Sequence, residues 1–137
     1  MKYLLDTNVL SEPVKPRPNE KVLKRLERHR REFAWAAPVL HELKYGIERL
    51  GKSSRKLALS DYLKRLLETM PQALPYGQNA ATWHAIERAR LEREGVSTSF
   101  VDGQIAAIAA TNQLVLVTRN VEHYAMFSGL KFENWFH

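Results

Sequence analysis

The run LVLVT at residues 114–118 constrains this chain more than any other stretch. Every residue before its closing threonine is apolar, so neither face of the segment is built for water. A strand covered on both faces belongs to a sheet sandwiched between helices. The stretch feeding it, FVDGQIAAIAATN, is rich in Ala and Ile and reads as a helix buried on nearly every side. A buried helix running into a buried strand fits an α/β layer fold with a mainly parallel sheet, in which helices supply the crossovers.

The rest of the chain reads in the same alternation. Residues 2–5, KYLL, form a buried strand, and Thr7–Leu10 open a short helix capped by Asp6 or Thr7. PVKPRPN (13–19) is a loop, because each proline fixes φ and lacks an N–H. Asn19 caps a helix over EKVLKRLERHRR, and Phe33–Ala37 is a second strand. Pro38 suits the first turn of a helix through VLHELKYGIERL, stopped by Gly51. Ser53 or Ser54 starts another helix reaching Met70, on which Leu59, Leu63, Leu66, Leu67 and Met70 recur at helical spacing. Ala73–Tyr76 is a short third-strand candidate, Asn79 caps a helix through Glu94 that Gly95 ends, and Leu130–Glu133 is a last strand.

A chain of 137 residues suits one domain with one core, here residues 1–137. No apolar run approaches the roughly 20 residues that span a bilayer, and Asp6 interrupts the N-terminal apolar run too early for a signal peptide. No membrane role and a cytoplasmic location are therefore expected. The absence of cysteine fits that compartment and excludes disulfides, thiolate catalysis and Cys-ligated zinc. Lys and Arg number 21 against 15 Asp and Glu, a net charge of +6 that favours polyanionic partners, nucleic acid above all. An acidic protein would be attracted equally well.

Ligands of parallel α/β sheets bind beyond the carboxyl ends of the strands. Asp6 ends the first strand, Glu42 lies in the first turns of the helix after the second, and Asp102 starts the helix feeding LVLVT. Asn120 and Glu122 follow that strand. Each has a plain reading: Asp6 caps a helix, Glu42 is solvated, Asp102 meets the positive end of its helix dipole, and Asn120 turns the chain. Their convergence on one rim shifts the balance. Carboxylates a few Å apart cannot all stay ionised without a counter-charge. Oxygen-only ligands with open water positions suit Mg²⁺ or Mn²⁺, which can activate water and stabilise charge on a phosphate. The sequence offers no His pair at zinc spacing, no phosphate-binding glycine loop and no nucleophile elbow. Metal-dependent phosphodiester hydrolysis is the chemistry with its parts present.

LLDTNVLSE at the N-terminus, APVLHELKYGI around Glu42, FVDGQIAAIAATNQLVLVTRN around Asp102 and the closing GLKFENW together resemble a PIN-domain ribonuclease. More narrowly, they resemble the VapC toxins of bacterial VapBC toxin–antitoxin modules, including the FitB type, from residue 3 to about 135. The resemblance implies a three-layer α/β/α sandwich and a Mg²⁺-dependent endoribonuclease site, in which Mn²⁺ can substitute. It places the family's first three acids on Asp6, Glu42 and Asp102, and the fourth site position, often Asp, on Asn120. That departure removes a negative charge and leaves fewer ligands for a second metal, a loss that Glu122 is a candidate to offset. Thr7, Asn8, Thr118 and Asn120 would orient ligands or water around the metal. The implied partners are RNA, with transfer RNA the family-level expectation, and a VapB-type antitoxin lying in a groove between helices near the acids. Such proteins also commonly form homodimers and toxin–antitoxin hetero-oligomers.

Lys21, Lys24, Arg25, Arg28, Arg30 and Arg31 crowd one helix, and Arg49, Lys52, Arg55 and Lys56 the next helix junction. They are candidates for RNA-backbone contact, although a solvated surface explains most of them. The Leu59–Met70 stripe reads as core; with Leu43, Ile47 and Tyr62, part of it is also a candidate partner surface. His41, His84 and His123 read as structural or surface residues. Two rivals remain. A receiver-type phospho-acceptor would need a second acid beside Asp6 and a Lys after a later strand, where this chain has Thr7 and Arg119. A non-catalytic RNA-binding PIN module would leave three acids repelling phosphate without purpose.

Overall fold

The computed structural model describes every residue, Met1–His137. Four short strands form one sheet: β1 (Tyr3–Leu5), β2 (Phe33–Ala34), β3 (Val115–Val117) and β4 (Phe132–Glu133). Their order is β2-β1-β3-β4, and every pairing is parallel. Leu4, Leu5, Leu116 and Val117 are fully buried, as the apolar runs demand of strands covered on both faces. No helix is long and apolar enough to cross a membrane.

Six α-helices flank the sheet: α1 (Thr7–Leu10), α2 (Glu20–Arg28), α3 (Ala37–Glu48), α4 (Ser54–Thr69), α5 (Gln78–Arg93) and α6 (Phe100–Thr111). Helix α6 packs on β3 and carries α5 and α3 against it, while α4 packs on α3. Six residues of α6 are buried, including Ile105 and Ile108, as its composition requires. On the other face the Tyr3 ring meets His29 at the end of α2 (4.9 Å) and Trp135 (5.0 Å). The result is the expected α/β/α layering around a single cluster of 28 buried apolar residues.

Three local expectations change. Helix α2 stops at Arg28 rather than Arg31, because His29 leaves helical geometry to pack its ring in the aromatic cluster and bond Glu32 at 2.8 Å. The strand expected at 73–76 shrinks to one bridge, Ala36 with Leu74. The Leu74 N–H donates to the Trp35 carbonyl and its own carbonyl accepts the Ala37 N–H, each at 2.8 Å, and the pairing extends no further. Helix α5 begins after Gly77, not Asn79, and its N-terminus has no side-chain cap. Gly95, at φ 76°, closes α5 in the left-handed region that favours glycine.

The topology positions the site. From β1 the chain crosses to β2 on one side and later returns to β3 on the other, so the strand order reverses between β1 and β3. In open parallel sheets such a reversal leaves a crevice at the carboxyl ends. Asp6 and Thr118 are the residues that follow those two strands.

Candidate active site

Parallel register brings the first contact about. Leu5 pairs with Val117, so the next residues along, Asp6 and Thr118, emerge side by side. The Thr118 hydroxyl donates to Asp6 Oδ2 at 2.8 Å and accepts the Asn120 N–H at 3.0 Å. Asp6 also caps α1, accepting the Thr7 N–H on Oδ1 at 2.8 Å. The plain capping reading is thus correct, but it accounts for one oxygen only. Asn8 donates to Oδ2 at 3.4 Å and accepts the Arg119 N–H at 3.0 Å, which ties the start of α1 to the chain leaving β3.

Asp102 arrives from α6. Ser99 caps that helix by accepting the Asp102 N–H at 3.2 Å, so Asp102 occupies its first turn. Its carboxylate is partly open, with Oδ2 3.5 Å from His123 Nδ1. Its Oδ1 accepts from the Tyr124 hydroxyl at 3.2 Å, and that same hydroxyl lies 3.3 Å from Asp6 Oδ2. One phenol oxygen therefore bridges two acids that are far apart in sequence. Glu42, on α3, lines a cavity of about 430 Å³ whose other wall holds Asp102 and Ser99.

The electrostatics show how closely these groups feel one another. Burial pushes the Asp6 carboxyl above its ordinary value, and Asp102 adds to the rise; bonds from Thr118, the Thr7 N–H and Tyr124 oppose it without prevailing. Glu42 is also raised, first by loss of solvent around its carboxylate and then by the charges of Asp6 and Asp102. The residue as a whole stays exposed, so solvent screens the effect on Glu42. Tyr124 is fully buried, and its phenol is driven well above its usual range by burial and by both acids.

The arrangement falls short of the expected tight gathering in one respect. No three acids stand close enough together to share one cation. Ionised carboxylates with no counter-charge between them repel, and each here is held by its own element. Asn120 joins the site through its backbone N–H alone; its amide side chain makes no hydrogen bond. The suggestion that Glu122 offsets the missing fourth acid is not supported. The turn Val121–His123 faces it to solvent, 71% exposed, 4.0 Å from His123 and in contact with no other acid-site residue. Two site residues escaped the sequence reading. Tyr124 lies in an irregular segment without periodicity, and His123, read as surface, is half exposed but sits beside Asp102.

The donor chemistry fits a hard divalent cation. All three candidate ligands are carboxylates. Two, Asp6 and Glu42, are raised by burial first and by their acidic neighbours second. The buried Thr7 hydroxyl has no partner other than the nearby Glu42 carboxyl, whose rise it opposes, and open space adjoins Glu42 and Asp102. With the acids as they stand, water would complete the coordination.

A groove runs away from the acids between α3, α4 and residues 11–15, about 300 Å³ in volume. Thr7 and Glu42 stand at one end, and Leu43, Leu59, Leu63 and Leu66 line its floor. The apolar stripe of α4 therefore divides: Leu63 is core, Leu59 and Leu66 face the groove, and Leu67 is 53% exposed.

A parallel sheet whose reversal point joins Asp6 and Asp102 through Tyr124, with Glu42 lining the adjoining cavity, defines a class of α/β domain with an acidic rim at the carboxyl ends of its strands. The chain belongs to the PIN domain family, which residues 3–126 match. It is 30% identical over 135 residues to the toxin FitB of Neisseria gonorrhoeae, covering 96% of this chain and 97% of that one. It is also 30% identical to a tRNA(fMet)-specific endonuclease VapC of Salmonella typhimurium, covering 98% of each. The crystal structure of FitAcB from Neisseria gonorrhoeae superposes with a TM-score of 0.90 at 30% identity, covering 98% of this chain and 99% of that one. Membership in this family removes the receiver-type alternative.

Proposed function

We propose that this protein is an endoribonuclease toxin of the VapC type, cutting RNA phosphodiester bonds with Mg²⁺, or Mn²⁺ in its place, and restrained by a VapB-type antitoxin. The observation that carries the reading is the junction of Asp6, Thr118, Tyr124 and Asp102 at the sheet reversal, with Glu42 across the adjoining cavity. Names borne by similar chains, a tRNA(fMet)-specific endonuclease and a FitAcB complex, support the substrate class and the partner.

Asp6 and Asp102 would hold the cation directly, and Glu42 would hold it directly or through water. When bound, the cation supplies an activated water and charge stabilisation on the scissile phosphate. Thr118, the Thr7 N–H and Asn8 fix the Asp6 carboxylate so that one edge keeps a constant direction. Asn120 is kept near by the same threonine, and its free amide can orient water or RNA. Arg49 lines both the acid cavity and the groove, where it can meet the RNA backbone. The groove fits the antitoxin: apolar residues would seat on Leu59 and Leu66, and a basic side chain would reach Glu42. Residues 1–137 act as one PIN domain, and Tyr45, Leu67, Ile86 and Phe100, all exposed, give ample apolar surface for a homodimer or hetero-oligomer.

Purified protein freed of any antitoxin, incubated with transfer RNA, should cleave with Mg²⁺ or Mn²⁺ and stop with EDTA. Asp6→Asn and Asp102→Asn should each abolish cleavage while folding normally. Wild-type rates in either variant overturn the assignment, and RNA binding that survives EDTA without any cleavage points to a non-catalytic PIN module.

A further inference from the structure

Tyr124 is the residue whose chemistry neither capping nor packing explains. Its ring is fully buried against Phe127, 6.4 Å between centroids, and a phenylalanine would fill that space. The hydroxyl is the addition. A buried phenol needs one acceptor to be satisfied, yet this one lies 3.3 Å from Asp6 and 3.2 Å from Asp102. Those two oxygens can be no further apart than the two contacts laid end to end. The phenol has one proton, so it donates to one carboxylate at a time. The other contact then sets two oxygen atoms facing each other. Tyr124 thus spaces the acids without neutralising them.

We propose that Tyr124 is a positioning residue whose hydroxyl spans Asp6 and Asp102 and holds the two carboxylates at a fixed spacing for one divalent cation. The inference rests on the nuclease reading and goes beyond it by assigning the device that organises the acid pair. Asp6 comes from the end of β1 and Asp102 from the first turn of α6, and no direct bond joins them; the Tyr124 hydroxyl is the hydrogen-bonded link between the two carboxylates. Without it each acid keeps its own holder, Thr118 and the Thr7 N–H for Asp6 and the helix for Asp102, but the pair loses its common spacer. Side chains that orient metal ligands in this way typically alter metal affinity 10–100-fold when removed.

The test is Mn²⁺ binding, followed by calorimetry and by the paramagnetic resonance of free Mn²⁺, in the wild type, Tyr124→Phe and Asp6→Asn. Melting in EDTA reports whether each is folded. The expected result is a Kd for Mn²⁺ raised about 10-fold or more in Tyr124→Phe, with a melting curve close to that of the wild type. An unchanged Kd overturns the inference and leaves the nuclease reading standing. A wild type that binds Mn²⁺ no better than Asp6→Asn overturns the nuclease reading, and this inference with it. Should Tyr124→Phe fail to fold, 3-fluorotyrosine placed at position 124 keeps both ring and hydroxyl. Its fluorine resonance should then shift and saturate as Mg²⁺ is added, and a resonance that does not move overturns the proposal.

Discussion

Asp6→Asn should make the metal-free protein more stable while it destroys cleavage. Asp6 is 5% exposed and sits near a second acid. The two carboxylate oxygens lie no further apart than the Tyr124 contacts of 3.3 and 3.2 Å laid end to end, so the like charges repel by about 3 kcal/mol at an effective dielectric of ~20. Burial of the ionised group adds to that cost. Three bonds, from Thr118, the Thr7 N–H and Tyr124, favour the charged form. Each is worth about 1 kcal/mol more than its neutral equivalent. The carboxyl is nonetheless raised, so the bonds do not win. An amide at this position keeps the α1 cap, since Asn caps as well as Asp. It turns its NH₂ toward Thr118 and Tyr124, both of which can accept. The relieved repulsion and the lost charge assistance roughly offset each other, so the relieved burial of the charge, the largest cause of the raised carboxyl, sets the sign: the net expectation is a gain on the order of 1 kcal/mol, or a melting temperature higher by roughly 3–4 °C. Urea and thermal unfolding in EDTA at neutral pH measure it. Millimolar Mn²⁺ should reverse the order, because only the wild type gains from binding, by about 2.7 kcal/mol at a hundredfold excess over Kd. A lower unfolding midpoint for Asp6→Asn in EDTA would refute the reasoning: Asp6 would then be a well-satisfied structural acid in no conflict with its neighbours.

Burial, with the same repulsion added, fixes a pH dependence. Asp6 and Glu42 are both raised in the folded state, so the native protein holds protons more tightly than the unfolded chain. Their contribution is present below the ordinary carboxylate value and is lost as pH rises through the raised one. Glu12 and Glu87 have the opposite sign. Glu12 is lowered because bonds from the Asn19 N–H and Lys15 outweigh its burial, and Glu87 is lowered first by its bond from Arg90. Melting temperatures in EDTA from mildly acidic to neutral pH should therefore fall less with rising pH in Asp6→Asn than in the wild type. In the core, Gly103→Ala places a methyl against the ring of His84, which is 1% exposed and bonded to Tyr76 at 2.8 Å. Urea unfolding should show a loss of about 1–3 kcal/mol, partly recovered when His84 is shortened in the same chain.

The sheet was legible because its signal is local. LVLVT and KYLL announce buried strands by their apolar runs, and the rule that parallel sheets bind ligands at their carboxyl ends put Asp6, Glu42, Asp102, Asn120 and Glu122 on one rim, with Thr118 added by the family resemblance. What the sequence left hidden depends on packing between distant segments. Helix α2 ends early for an aromatic contact with Tyr3 and Trp135, and Leu74 contributes a single bridge to Ala36. Tyr124 follows RNVEH, a segment with neither period nor motif, so nothing local marks its hydroxyl as the link between acids from positions 6 and 102. Glu122, two residues before it, had the right charge in the right stretch, and a single turn of backbone sends it to water. In such a segment the backbone path, and not the residue type, decides which side chain enters the site.

Activity and restraint then draw on one source. The acids repel because each is fixed by a separate element for reasons of fold: Asp6 by β1 and α1, Asp102 by α6, Glu42 by α3. Any positive charge that enters relieves that repulsion. A divalent cation does so with coordination sites left over for water and phosphate, which is what hydrolysis requires. In the proposed complex, a basic side chain carried in along the groove past Leu59 and Leu66 toward Glu42 would do so with none left over. The two must compete, because both are bound by the same deficit, and each weakens the other by an equal factor. On the proposed reading such a toxin would need no separate inhibitory site: the electrostatic cost that would make a metal bind is what an antitoxin would relieve by taking the metal's place.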